Sequence, residues 1–494
     1  MNKIENISDF RWALQKLEKF NEFVLSDENL KKHFVLGHYN FLQAYQTLIF
    51  FELVSSFRSM QAGSFKEKDP VRPAGVGVRL RQLFSILFSS ISLLIVYLKP
   101  RENLIYTSDK TTYQKYFCDF RMVNLFSYLI SRNIKFFEFF HTVYRVGFIR
   151  TALRRSRLAF YLEISDFFYK LASILGLITG IDLNFGETNF ESLRDDKILF
   201  KKIISKYAPM VEKSLFKIDF LKFVIRLTHA KRIIAVADTR NYNELVAACM
   251  EEGIEVIGFQ GGNISKYSIG LVDMTKGNGR LIRADKFVVE SGYWRDELVR
   301  LGSYYKKEDI LIGGNLKEDY KEPLESHRID DAGVIRILFP YEIAAPKDEI
   351  ISYIKKLSSI KKVEVIFKFR ADRDLVAQAN EYGFQTVPEN VRLITNLEEI
   401  DGFDVVAGTY STFLYEMIGK KKPVVILKTT LDYGEGLVIN ELADEIDINN
   451  PDFEGALFRA ASLPEGVLNL RRDKLYGKRV MLGQFLDEIF GISK

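Results

Sequence analysis

The chain has 494 residues, 47% of them hydrophobic and 27% charged, with 70 basic against 65 acidic side chains. That length exceeds what one core can serve and implies two domains or more, and the composition excludes a largely disordered chain. A net charge of +5 is too balanced for a general nucleic-acid binder, and two cysteines with five scattered histidines supply neither a disulfide framework nor the spacing of a metal site.

The first hundred residues read as mainly helical. Apolar positions recur with helical spacing through FRWALQKLEKFNEFVL and again through FLQAYQTLIFFELVSSF. The N-terminal stretch has no signal-peptide core, so the cytoplasm is the expected compartment. A polar break at 63–77 precedes LFSILFSSISLLIVYL, residues 83–98, sixteen residues without a charge but with four serines. A spanning helix wants about 20 mostly apolar residues, so a buried or membrane-surface helix is expected rather than a span.

After Pro100 the rhythm becomes strand–helix alternation. Strands are expected at 103–109 and 134–142, then a long helical region over about 145–228. Further strands are expected at 232–238, 254–262, 286–291 and 308–314, with helices between. Short apolar strands alternating with helices argue for a parallel sheet covered on both faces. The polar stretch 317–333 reads as a linker. Beyond it a second series places strands at 335–342, 363–370, 391–396, 403–408 and 423–429, and helices near 346–358, 373–382 and 411–419. A helical tail, 453–494, follows. The chain therefore divides into a helical extension (1–100), one doubly wound domain (101–325) and a second (334–480).

Ligands of open parallel sheets bind outside the carboxyl ends of the strands, and polar residues follow each strand here. In the second domain Glu342, then Lys368 and Arg370, then Gly408-Thr409-Tyr410-Ser411-Thr412 occupy such positions. The last set joins a buried strand to a helix start, where free amides and the hydroxyls suit a phosphate. The same residues also suit a plain helix cap. Lys368 and Arg370 at a neighbouring strand end tilt the reading toward an anion, and Glu416, one helical turn on, is placed to accept from a ribose. No GxxxxGK[ST] loop is present, and Gly253 after Glu251-Glu252 reads as a helix C-cap. The stretches 71–84 and 145–160 interleave arginine with apolar residues, the composition of a helix lying on anionic lipid.

Three segments carry a family resemblance. IEVIGFQGGNISKY, ADKFVVESGYWRDELVRLGSYYKKEDILIGGN and VVAGTYSTFLYEMIGKKKPVVIL are similar to segments of GT-B glycosyltransferases that build bacterial capsule, lipopolysaccharide or teichoic-acid polymers, including the CDP-glycerol transferases. The likeness covers about 230–430. Gly261-Gly262 stands where relatives often have His-Gly, and Phe369-Arg370-Ala371-Asp372 where many have His-Pro.

The resemblance implies an α/β fold of two Rossmann-like domains facing across a cleft, and a metal-independent transferase with no cofactor. Its donor would be a nucleotide-sugar, CMP- or UDP-linked, and its acceptor a hydroxyl of a growing glycan or lipid-linked glycan. Lys368, Arg370, Thr409 to Thr412 and Glu416 would hold the donor, while Arg240, Gln260, Gly261 and Gly262 would line the acceptor side. Asp238 is the first choice of base, with Asp109 and Glu342 behind it. The expected location is peripheral, on the anionic inner face of the cell membrane. The alternatives are a polyol-phosphate transferase, a UDP-sugar 2-epimerase (disfavoured here because neither set of strand ends supplies a cleft histidine) and a non-catalytic membrane-associated assembly protein.

Overall fold

The computed structural model describes residues 8–61, 76–108, 112–113, 118–142, 148–155, 157–178, 188, 190–236, 242–275, 277–314, 316, 333–342, 345–370, 374–384, 387–400, 402–477 and 482–492. Two parallel sheets organise them. The first comprises β1 (Asn103–Ser108), β2 (Phe136–His141), β3 (Ala159–Tyr161), β4 (Arg232–Val236), β5 (Glu255–Phe259), β6 (Lys286–Val289) and β7 (Ile310–Ile312), in the order β7-β6-β5-β4-β1-β2-β3. The second comprises β8 (Ile335–Pro340), β9 (Val363–Lys368), β10 (Val391–Ile394), β11 (Val405–Gly408), β12 (Val424–Leu427) and β13 (Asp444–Ile446), in the order β10-β9-β8-β11-β12-β13. In each sheet the first strand lies centrally and the chain winds outward both ways, the Rossmann order. The α/β, two-domain GT-B architecture expected from the sequence is therefore present.

The central strands are apolar on both faces because helices cover both. Residues 104–108 of β1 and all of β11 and β12 are buried. The expected helical region at 145–228 is corrected in one place, since Ala159–Tyr161 forms the edge strand β3, beside β2. Three residues without alternation carry no legible strand signal. Helices Phe148–Arg155, Ile164–Ile174 and Lys197–Thr228 flank it. The strand β13 was likewise not anticipated. The expected linker falls almost wholly at 317–332, outside the described residues.

The N-terminal helices do not stand apart as an extension. Helix Asp9–Ser26 packs on helix Phe41–Gln61, and both join the core of the first domain. Phe20 meets Phe200 of the 197–228 helix edge-on at 5.1 Å. The C-terminal tail also divides. Helix Glu465–Tyr476 packs on the second domain and on helix Gly292–Arg300 of the first, whereas helix Leu482–Phe490 returns to the first sheet. There Tyr128 donates to Asp487 at 2.6 Å, and Phe485 packs edge-on against Phe259 at 6.1 Å.

Gly313, just after β7, makes this docking possible. A Cβ there would lie 2.5 Å from Val288 Cγ1 and 2.6 Å from the Phe485 ring. Gly313→Ala is expected to cost about 1–3 kcal/mol by overpacking, read by denaturant unfolding. Part of that cost should disappear in a Phe485→Ala background; strictly additive effects would show that the helix is not seated there.

Candidate functional site

The carboxyl ends of the two sheets meet where β5 and β11 end. After β5 the chain makes the turn Gln260-Gly261-Gly262-Asn263, and after β11 the turn Thr409-Tyr410-Ser411. Asn263 Nδ2 donates to the Tyr410 carbonyl at 2.9 Å, Thr412 Oγ1 lies 3.5 Å from Asn263 Oδ1, and Gly262 sits directly against Thr412. Gln260 shapes the first turn, donating to the Gly262 carbonyl at 2.8 Å and accepting from Glu290 N at 3.1 Å. Gln260, Gly261 and Gly262, three of the four residues expected on the acceptor side, thus lie in the turn that forms the seam between the domains. Beside them the rings of Tyr410, Tyr433, Tyr267 and Phe10 follow one another with centroids 4.9, 5.3 and 5.4 Å apart, the first pair tilted, the second stacked and the third edge-on, and Lys266 bridges to Asp432 at 2.7 Å. An interdomain cavity of about 190 Å³, lined in part by Tyr293, Glu297, Tyr415 and Asn440, lies alongside. Ligand pockets run from about 300 Å³ upward, so this cavity is too small for a nucleotide-sugar.

The turn after β11 carries the main correction. Its amides are not open to a phosphate, because the carboxylate of Glu342 already occupies them. Glu342 Oε2 accepts from Thr409 N at 2.7 Å and Thr409 Oγ1 at 2.6 Å, and Oε1 accepts from Tyr410 N at 2.8 Å and Ser411 N at 2.6 Å. Gly408 permits the approach, since a Cβ there would lie 3.0 Å from Glu342 Oε1. Burial pushes the carboxyl above its ordinary value, and the four donors oppose that shift. A buried side chain engaged in this way is a built-in anion of the fold and has no route to an acceptor proton. Ser411 then caps helix Thr412–Gly419, accepting from Phe413 N at 3.2 Å.

The end of β9 is cationic. Lys368, the last residue of β9, is half-buried, its ammonium 5.9 Å from the centre of the Phe413 ring. Among the described residues no hydrogen-bond or ion-pair partner reaches Lys368. Burial holds its pKa below the ordinary lysine value, with Glu416 opposing and Arg370 adding to the shift. Arg370 is exposed, its backbone clamped by Gln378 through two 3.0 Å bonds. Lys368, Arg370, Thr412 and Glu416 are therefore gathered at the β9 end and the first turns of the 412–419 helix, as the strand-end argument anticipated.

On the first domain, Asp109, Asp238 and Arg240 lie outside the described residues. The strands they follow, β1 and β4, are adjacent in the sheet. A histidine missed by sequence reasoning stands on the same rim. His141 ends β2 opposite Ser108, and its Nδ1 contacts Oε1 of Glu163, which also accepts from Thr142 N at 2.9 Å. Glu163 follows β3, so an unread strand concealed the pair. Burial pushes the Glu163 carboxyl up, and His141 pulls it back. The sequence argument against an epimerase, that no histidine occupies the rim, is thereby overturned.

No known protein family matches the chain, and neither does any curated protein. Solved structures similar to it include the glycotransferase of kitacinnamycin (12% identity, 79% of this chain and 99% of that one, TM-score 0.45) and the calicheamicin glycosyltransferase CalG4 (8%, 79% and 98%, 0.46). A UDP-GlcNAc 2-epimerase from Neisseria meningitidis bound to UDP-GlcNAc is a third (10%, 79% and 100%, 0.47). At such TM-scores these are likenesses in the general course of the chain and assign nothing finer.

Glu342→Ala is expected to lower stability by about 2–4 kcal/mol, because buried amides lose their acceptor. Acetate or formate should restore part of the loss by entering the vacated position, an effect read as a carboxylate-dependent rise in Tm absent from the wild type.

Proposed function

We propose that this protein transfers a sugar from a nucleotide-sugar to a hydroxyl of a glycan or lipid-linked acceptor. The observation that carries the reading is Lys368, a half-buried ammonium at a strand's carboxyl end beside Arg370, with no hydrogen-bond or ion-pair partner among the described residues. An unpaired buried charge is costly, and a phosphate oxygen would remove that cost. Glu416 then faces the ribose side of the same ligand.

In the transfer, the acceptor oxygen attacks the anomeric carbon, the bond from that carbon to the phosphate oxygen breaks, and the acceptor proton passes to a base. Lys368 and Arg370 would stabilise the charge on the departing phosphate, aided by the Thr412 hydroxyl. The base belongs to the rim of the first sheet. Asp238 and Asp109 remain candidates by position, and His141, oriented by Glu163, joins them. Glu342 is withdrawn.

The His141–Glu163 pair also favours a second reading, a nucleotide-sugar 2-epimerase, in which a rim base removes the proton at C2 of the sugar. Deuterium appearing at C2 in heavy water would mark the epimerase, whereas nucleotide release that requires an added acceptor would mark the transferase.

Thermal shift against CMP, UDP, GDP and CDP comes first. One nucleotide at a hundred times its Kd is expected to stabilise the protein by about 2.7 kcal/mol. Lys368→Ala should abolish that shift and leave the unliganded Tm equal or higher, since a half-buried charge that Glu416 only partly compensates has been removed. No response to any of the four contradicts the reading.

A further inference from the structure

Helix Val76–Leu98 has its polarity reversed. Ser85, Ser89, Ser92 and Val96 face inward, each 1% exposed or less, while Leu83, Leu87 and Leu94 face outward at 61%, 62% and 60%. Leu80, Ile91 and Leu98 extend the same exposed stripe. A helix on the surface of a protein in water shows the opposite pattern. Two neighbours prolong the apolar face. Helix 164–174 and the residues after it expose Phe167, Ile174, Leu175 and Leu177, and helix 148–155 exposes Ile149 and Leu153; the 76–98 helix packs against both. Contiguous apolar patches of this kind mark an interaction surface.

Charge selects the occupant. No acidic residue occurs in 76–101 or in 148–162, whereas arginines and lysines border the patch. Arg79, Lys99, Arg154 and Lys170 are exposed. We infer that this three-helix face seats the protein on an anionic lipid bilayer, the leucines entering the interface and the cations meeting headgroups. Two copies joined face to face would bring these cations together, since Asp166, the acid of the third helix, is already engaged by Lys213 and Lys217, which disfavours self-association.

The helix lies in the interface and does not cross. Residues Arg79–Leu98 are long and apolar enough for a span, yet one face is built into the fold. Ser89 Oγ accepts from Tyr161 N at 3.0 Å and so closes the outer edge of β3. Insertion across a bilayer would break that bond and expose the sheet edge. The surface depends on geometry alone. On the transferase reading it would also explain access to a lipid-linked acceptor, since helix 164–174 begins directly after Glu163 on the rim.

The test is vesicle flotation of the full chain with phosphatidylcholine vesicles and with vesicles containing 30% phosphatidylglycerol. The wild type is expected to float with the anionic vesicles only, less at high salt. Leu83→Ser/Leu87→Ser/Leu94→Ser should reduce partition by about tenfold or more with unchanged Tm and circular dichroism, as these side chains are exposed. Arg79→Glu/Arg154→Glu should weaken binding and flatten its salt dependence. Wild-type protein that stays unbound, or a triple variant that binds as well as the wild type, overturns the inference. So does a wild type that dimerises through this face and loses the dimer in the triple variant without any vesicle binding. Nucleotide thermal shift on the same variants should be unaltered, so this inference and the transferase reading fail separately.

Discussion

A single carboxylate holds the working part of the second domain in shape. Glu342, two residues past the end of β8, reaches the turn after the neighbouring strand β11 and accepts from three consecutive amides and a hydroxyl. Those amides would otherwise be orphans at a buried helix start. With them fixed, Ser411 is placed to cap the helix, and the Tyr410 carbonyl is turned toward Asn263 across the domain boundary. The cap, the helix that carries Glu416, and the seam between domains all follow from this one internal anion.

Its presence relocates the chemistry. Filled by protein, the turn no longer competes for phosphate. The positive charge of this rim lies two strands away, on Lys368 and Arg370 at the end of β9. The turn thus acts as scaffold and the β9 end as the charged surface, a division of labour that neither segment discloses by itself. The reversed helix 76–98 follows a comparable logic. Its buried serines face the fold, with Ser89 bonded to the sheet edge, which leaves its leucines to whatever the molecule meets outside.

Much of this was legible from spacing. The strand–turn–helix–strand of 405–427 was placed to within two residues at every boundary, because a buried run followed by hydroxyl-rich residues and an apolar helix has few other solutions. The gathering of Lys368, Arg370 and Glu416 was also readable, since parallel strands send their carboxyl ends to one rim. The occupation of the turn by Glu342 was not, because partners 67 to 69 residues apart leave no local signature. His141 fell within the expected strand 134–142, one residue from its end, but its partner Glu163 follows a three-residue strand too short to alternate. Nor can the amphipathic sequence LGQFLDEIF say which of two sheets it will cover. That choice rests on the space Gly313 leaves for Phe485.

The most direct measurement of the central claim is the titration of Lys368 itself, by NMR of a sample labelled at the lysine ε-carbons and assigned with Lys368→Arg. In the free protein Lys368 should titrate below the ordinary lysine range, because burial disfavours its charge more than Glu416 restores it. Adding the nucleotide identified by thermal shift should return that pKa upward, since a nearby phosphate favours the charged form. A Lys368 that titrates normally in the free protein and does not respond to nucleotide would contradict the account.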